Sequence, residues 1–552
     1  MVGSAIKEKK HKNMNEFDLA ELINTPKPGD YPYTLFLGAG ASCSSGIPTA
    51  RGMVREWQES IYKSTNKDKY DPNDFDNWVK NKYPEWREKH IIYPGQSDYS
   101  LLFSYRYKQP QERQLYIEKK LEPNKPAFGY LYLSSLIEDK RFNRILTTNF
   151  DDLVNDALRK FYDIKPIVCA FDSAISGIRV ASQKPKIVKL HGDFLYNDIR
   201  SIGNKNNYSF RSLQENMEEK IEEMCKGYGL IVVGYGGNDD SIMSALKNIL
   251  KSPEYLTYGL HWCLLSSESE PPPRLQELKS SHPDTIHFYY ISSFDRLMEE
   301  MHIACNTKMP KVLTDPHKYN LTQEFYDSVK GGSSSKLSDN MTKHLSIFLK
   351  SMNKDERDTE NYVVMEAELD WERGANVRKK NHQEAMEYFM DGYEKLSKLK
   401  KIERDPKLLI NALRRKSGLC IAIAKLNKAG IEIPKSKEGR NILIGNWQEA
   451  LNNAVEAVNQ GITQYQQDEV QWLHQRSLIR TFPYNGCCAY SLLCEWNDYF
   501  NSLESLTSIE EEIKEKVYSF VQEIKRLDLD GDHYKKLTRD SDFHYLREKL
   551  QF

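Results

Sequence analysis

Thr34-Leu35-Phe36-Leu37-Gly38-Ala39-Gly40-Ala41-Ser42, continued by Gly46-Ile47-Pro48, is the stretch from which the fold of this chain is read. The run Thr34 to Leu37 does not alternate polar and apolar residues, as suits a strand buried on both faces. It ends directly in Gly-X-Gly, where residues without a Cβ let the backbone turn tightly and approach another group closely. N–H groups at the start of the following helix can receive phosphate oxygens, so the pattern has the geometry of a nucleotide site. The third glycine of the dinucleotide fingerprint is not at its usual place, and no short crossover leads to an acidic residue about 20 positions on. An ordinary dehydrogenase fold therefore fails.

Six further apolar runs bounded by Gly, Asn, Ser or Pro follow: Pro166 to Cys169, Arg144 to Thr147, Lys186 to Leu190, Leu230 to Val233, His261 to Leu265 and His287 to Ile291. Helical stretches lie between most of them, which predicts an open, mainly parallel α/β sheet of Rossmann-like type. About a hundred residues separate the first run from the second and carry helical patterns with many aromatics, among them Trp57, Tyr62, Trp78, Trp86, Phe103 and Tyr105. They read as a helical subdomain, about 55–140, inserted into the sheet domain.

Beyond Met301 the character changes. Gly331 to Ser335 has linker composition, and from about Thr342 the chain reads as almost wholly helical. The segments Asn381-His382-Gln383-Glu384-Ala385 and Asn446-Trp447-Gln448-Glu449-Ala450 are alike, with a weaker third at Glu495-Trp496-Asn497-Asp498-Tyr499. The first two lie about two helix-hairpin repeats of 34 residues apart. This half resembles a degenerate tetratricopeptide-type array, with Asp540 to Leu550 as its terminal helix; an irregular helical bundle is the alternative. The expected division is a tail at 1–29, a sheet domain at 30–303, a linker at 304–341 and a helical domain at 342–552.

The 552 residues carry 78 Lys+Arg against 79 Asp+Glu, and this near-neutral balance argues against whole-surface affinity for nucleic acid or an acidic membrane. No apolar run reaches the roughly 20 residues that span a bilayer, and the start around Lys7 to Lys12 lacks the apolar region of a signal peptide. A cytoplasmic location is the expectation. The nine cysteines show no pair at the spacing of a zinc knuckle and read as small core residues, with neither disulfides nor structural zinc expected.

Three more loops lie at the C-terminal ends of expected strands, where open α/β sheets bind ligands. They are Thr147-Thr148-Asn149-Phe150-Asp151, Lys189-Leu190-His191-Gly192-Asp193 and Val233-Gly234-Tyr235-Gly236-Gly237-Asn238-Asp239. Taken singly, each is ordinary: Asn149 and Asp151 could cap a helix, and His191 could be a satisfied turn histidine. Together and in this order, after Gly38-Ala39-Gly40, they resemble the sirtuin family of NAD-consuming enzymes over about residues 30–303.

That resemblance implies NAD as substrate, held by Gly38, Ala39, Gly40 and Ser42 at its phosphates, with Thr148, Asn149 and Asp151 at the ribose and nicotinamide end. It implies His191 as catalytic base, and Gly234, Tyr235 and Asp239 toward the adenosine side. The chain departs from deacylating sirtuins in two places. Only Cys225 stands between His191 and the Leu230 run where four zinc cysteines are usual, and Thr49-Ala50-Arg51 replaces the usual Asp-Phe-Arg after Gly46-Ile47-Pro48. What remains resembles the sirtuin-like NAD hydrolases of bacterial antiviral defence. The reaction then expected is cleavage of NAD to nicotinamide and ADP-ribose by Asn149, Asp151 and His191, with the helical half binding a trigger, a partner or another copy. An NAD-dependent deacylase or ADP-ribosyltransferase, and a nucleotide-sensing scaffold without turnover, are the alternatives.

Overall fold

A computed structural model describes residues 14–28, 31–65, 74–91, 97–121, 125–191, 215–267, 270–308, 338–352, 360–397, 399, 406–434, 444–467, 479–496, 508–527 and 532–550. These residues divide into two compact units. One holds the described residues up to Trp57 and from Glu88 through Lys308; the other holds those of 58–87 and the helices from Asp339 onward.

The first unit is built on one eight-stranded sheet. Its strands are β1 (Met14–Asn15), β2 (Tyr33–Leu37), β3 (Arg144–Thr147), β4 (Ile167–Cys169), β5 (Lys186–Lys189), β6 (Gly229–Val233), β7 (Leu260–Leu265) and β8 (Ile286–Ile291). They lie side by side in the order β1-β8-β7-β6-β2-β3-β5-β4, and every pairing is parallel. All seven apolar runs of the sequence form strands, each within a residue or so of its expected bounds. β2, β3, β5 and β6 are buried along their whole length, which is why their residues do not alternate. Leu37 is level with Thr147 on one side and Val233 on the other, and Thr147 with Lys189. The turns leaving these four strands therefore emerge together at one edge of the sheet.

Three expectations change. Met14–Asn15 pairs with β8 and leads into the helix Glu16–Asn24, so the sheet begins inside the segment expected to be a tail. Asn15 caps that helix from its side chain, a polar signal that the sequence reading did not use. The aromatic-rich stretch forms helices as expected, but it does not form one subdomain. Trp57 stacks on Phe103 at 5.1 Å within the first unit, whereas Tyr62, Phe75 and Trp78 pack together in the second. The helical region also opens earlier than expected, at Asp339. The basic start and Gly331 to Ser335 lie outside the described residues.

In the second unit the helices Glu360–Val377, His382–Ser397, Pro406–Lys428, Trp447–Gln466, Thr481–Trp496 and Ser508–Leu527 share one apolar core. Three close crossings use a glycine facing a phenylalanine ring: Gly374 with Phe389, Gly461 with Phe482 and Gly486 with Phe520. The two alike segments are both helix starts. Asn381 accepts the N–H of Glu384, and Asn446 that of Glu449, so capping chemistry accounts for the shared Asn-X-X-Glu pattern. The third segment differs, since Trp496 ends a helix and Asn497 to Tyr499 lie outside the described residues. Eight of the nine cysteines are buried and Cys43 is exposed. Among the described residues no helix is long and apolar enough to cross a membrane.

One inter-helix contact fixes the ground beside the Gly38 turn. The helix Phe128–Glu138 begins at Ala127 without a side-chain cap of its own, and Asp295 accepts the N–H of Gly129 at 2.6 Å instead. Burial lifts the Asp295 carboxyl to about 6, against the donors Ser44 and Gly129, which pull it down. Because the carboxyl holds its proton more tightly folded than unfolded, this group favours the fold below about pH 4, and that contribution is lost as pH rises through 6. The stability of the chain relative to Asp295→Asn should therefore fall by roughly 2 kcal/mol between pH 4 and 7 in urea unfolding. A difference independent of pH would show that Asp295 does not titrate in this range.

Candidate functional site

The turn after β2 is locked to the turn after β6. Gly38 donates its N–H to the Val233 carbonyl and Gly40 to that of Gly234, each at 2.9 Å, which prolongs the parallel ladder past the strand ends. A Cβ on Gly38 would lie 2.5 Å from the Gly234 oxygen, one on Gly40 2.7 Å from the Gly234 Cα, and one on Gly234 2.4 Å from the Ala41 nitrogen. Gly234 also has a φ of 71°, in the left-handed region. Three glycines are thus required by backbone-to-backbone packing. In the loop expected to cradle phosphates, the N–H groups of Gly38, Gly40 and Ala41 point at protein carbonyls. Ala39 and Gly40 themselves stay half-buried at the sheet edge.

The chain then winds into a 3₁₀ helix, Ala39–Ser45, which places Ser42 in the interior. Ser42 Oγ lies 2.8 Å from Asp151 Oδ2, 3.0 Å from Asn149 Nδ2 and 2.9 Å from the Tyr130 hydroxyl. A hydroxyl has one proton and two lone pairs. The carboxylate takes the proton, so Asn149 and Tyr130 are the donors, and the hydrogen-bonding capacity of Ser42 is complete. Ser42, expected at the cofactor, holds these three side chains.

Asn149 is similarly fixed. Its Nδ2 also donates to the Gly38 carbonyl at 3.1 Å, and its backbone N–H is held by Thr147 Oγ1 at 3.0 Å. Both amide hydrogens have acceptors, which decides the orientation of the amide, because a flipped oxygen would face the Gly38 oxygen. Asn149 Oδ1 is buried and has no partner among the described residues. An unpaired buried acceptor is costly and calls for a donor from outside the chain. Half-buried Thr148 is tied by its N–H to the Leu37 carbonyl. Asp151 accepts the Leu153 N–H through its other oxygen, and burial raises its pKa against the effects of Ser42 and Lys189.

A small pocket opens here, lined by Tyr130, Thr147, Asn149, Asp151, Asp152 and Lys189 among others. Tyr130 and Lys189 had no role in the sequence reading. Lys189 is almost completely buried, with Nζ on the Phe150 carbonyl at 3.0 Å and Asp152 at 2.8 Å. A charged residue closing a buried strand was the available signal; nothing in the sequence sets Tyr130 apart from its apolar helix.

His191 and Asp239 form a second group. His191 Nε2 lies 2.9 Å from Asp239 Oδ2, and Asp239 Oδ1 caps the helix Asp240–Ile249 through the N–H groups of Ser241 and Ile242. Burial would raise the Asp239 carboxyl, but His191 and these donors prevail and hold it below the ordinary carboxylate range. The Tyr235 ring packs at 5.0 Å from Phe36, and its carbonyl accepts the Trp262 indole N–H. Its hydroxyl is buried without a partner among the described residues. Gly192 and Asp193 lie outside them.

Residues 143–286 match the SIR2-like domain. The matched segment runs from the start of β3 to the start of β8, so it contains Asn149, Asp151, His191 and Asp239 but not the Gly38 turn. The chain is also similar to two solved structures. One is a point variant of a Sir2 homologue in complex with ADP-ribose, at 14% identity over 52% of this chain and 98% of that one, with a TM-score of 0.29. The other is a Sir2 homologue in complex with NAD, at 14% identity over 53% and 98%, with a TM-score of 0.27. No curated protein matches the chain.

The locked turns give a direct test. Gly234→Ala combines a strained φ with a contact that no Cβ tolerates, and should cost about 3 kcal/mol in thermal or urea unfolding. Gly236→Ala, whose added methyl would meet only the Asn238 side chain, should be close to neutral. Equal stability of the two variants would contradict the packing account.

Proposed function

We propose that the sheet unit hydrolyses NAD at the nicotinamide–ribose bond, giving nicotinamide and ADP-ribose. The observation that carries this reading is Asn149: a buried amide with both hydrogens engaged by the chain and its oxygen left without a donor. A ribose hydroxyl or the attacking water supplies the missing hydrogen. Further support comes from the match of this segment to the SIR2-like domain and from the position of the site at the C-terminal edge of a parallel sheet.

In this mechanism the C–N bond to nicotinamide breaks with its electron pair going to the departing ring, and water adds to the ribose carbon. The proton released from water passes to an imidazole nitrogen of His191, acting as general base. Asn149 orients the water or the ribose hydroxyls as positive charge develops on the sugar. Asp151 does not contact the reacting atoms in this scheme; through Ser42 it keeps Asn149 and Tyr130 in place. Water is taken as the acceptor on the departure seen in the sequence: Cys225 is the one cysteine between His191 and Leu230, where deacylating sirtuins carry four.

The helical unit is proposed as the regulatory part, engaging a trigger, a partner or a second copy. The physiological setting proposed is depletion of NAD in a bacterial cell under viral attack, on the resemblance to defence effectors.

Purified full-length chain incubated with NAD alone should release nicotinamide and ADP-ribose in equal amounts, followed by chromatography. Asn149→Ala and His191→Ala should each lower the rate at least 100-fold with circular dichroism unchanged. A variant that kept full activity would remove its residue from the mechanism, and release that required an acyl-lysine peptide would replace hydrolysis with deacylation.

A further inference from the structure

Four strands meet at the site in the order β6, β2, β3, β5. Asp239 follows β6 and His191 follows β5, so two strands lie between their origins, a spacing of about 14 Å at the usual strand separation. Their side chains nevertheless meet at 2.9 Å. The pair must bridge over the turns that leave β2 and β3, which are the turns carrying Gly38 to Gly40 and Asn149.

The chemistry of the pair fixes the ring. Asp239 is held in its ionised form by the helix N-terminus it caps and by His191, and a carboxylate only accepts hydrogen bonds. The nitrogen facing it, Nε2, must carry a hydrogen, and in a neutral imidazole the lone pair is then on Nδ1. Asp239 itself cannot swing freely. Its other oxygen takes the Ser241 hydroxyl at 2.6 Å besides the two backbone N–H groups.

We infer that Asp239 is the positioning residue of the catalytic histidine: it holds His191 in the Nε2–H tautomer, so that Nδ1 is the atom that receives the proton. This rests on the hydrolase reading above, and it gives Asp239 a role different from the adenosine-side contact expected from the sequence. Asn in place of Asp keeps a helix-capping oxygen but presents an amide N–H to the ring, which reverses the tautomer, the mode of failure known when a histidine's aspartate partner becomes asparagine.

The test compares wild type, Asp239→Asn, His191→Ala and the double variant. Asp239→Asn should lower kcat for NAD about 100-fold or more with KM and calorimetric affinity for ADP-ribose little changed, and should cause no further loss in the His191→Ala background. A kcat within threefold of wild type, an equal loss in the absence of His191, or weakened ADP-ribose binding at unchanged kcat would each overturn the inference; the last would return Asp239 to the ligand. Nitrogen-15 spectra of histidine-labelled protein, with the His191→Ala variant assigning the ring, read the tautomer without any turnover. They should show Nε2–H in wild type and Nδ1–H in Asp239→Asn, and Nδ1–H in wild type overturns the inference. If wild type releases no nicotinamide while its ring shows Nε2–H, the hydrolase reading fails and the tautomer assignment stands.

Discussion

The close packing of two glycine turns, Gly38–Gly40 against Gly234, is the contact on which the site depends. Parallel strands normally diverge at their ends into separate loops. Here the ladder between β2 and β6 continues for two more hydrogen bonds, because Gly38, Gly40 and Gly234 have no Cβ to hold the turns apart. That continuation fixes where the 3₁₀ helix begins and hence where Ser42 enters the interior. It also holds the start of the loop that delivers Asp239. One steric condition therefore sets the position of both halves of the site.

From Ser42 the order propagates by hydrogen-bond capacity. One hydroxyl joins elements that are far apart in sequence: the 3₁₀ helix, the Tyr130 helix and the loop after β3. Its donors and acceptors are all in use, and the side-chain amide of Asn149 is engaged except at its oxygen. A network complete but for a single acceptor at the sheet edge is rigid where it supports and open where it can bind. The separate pair of His191 and Asp239 brings a second group to the same edge.

The sheet was legible because strands buried on both faces leave an unmistakable trace, an uninterrupted apolar run ending in a turn. β1 was not, since two residues at an edge carry no pattern to read. The four loops at the strand ends were legible as an ordered set, yet the contacts their residues make with one another were not. Whether a glycine in Gly38-Ala39-Gly40 admits a phosphate or a neighbouring backbone depends on which strand lies beside β2, and sequence order does not state that β6 does. The meeting of His191 with Asp239 was hidden for the same reason. Tyr130 acts through a contact 88 residues away in sequence, so no local spacing marks it. In the helical half, similarity between Asn381 and Asn446 was read as repetition, and capping of two helix starts explains it with fewer assumptions.

The central claim is that the edge formed by β2, β3, β5 and β6 binds NAD with its nicotinamide ribose at Asn149. A structure of the full-length His191→Ala variant soaked with NAD tests it most directly. The account predicts intact NAD with a ribose hydroxyl or a bound water donating to Asn149 Oδ1. NAD bound elsewhere, or bound here with Asn149 Oδ1 still unpaired, would contradict it.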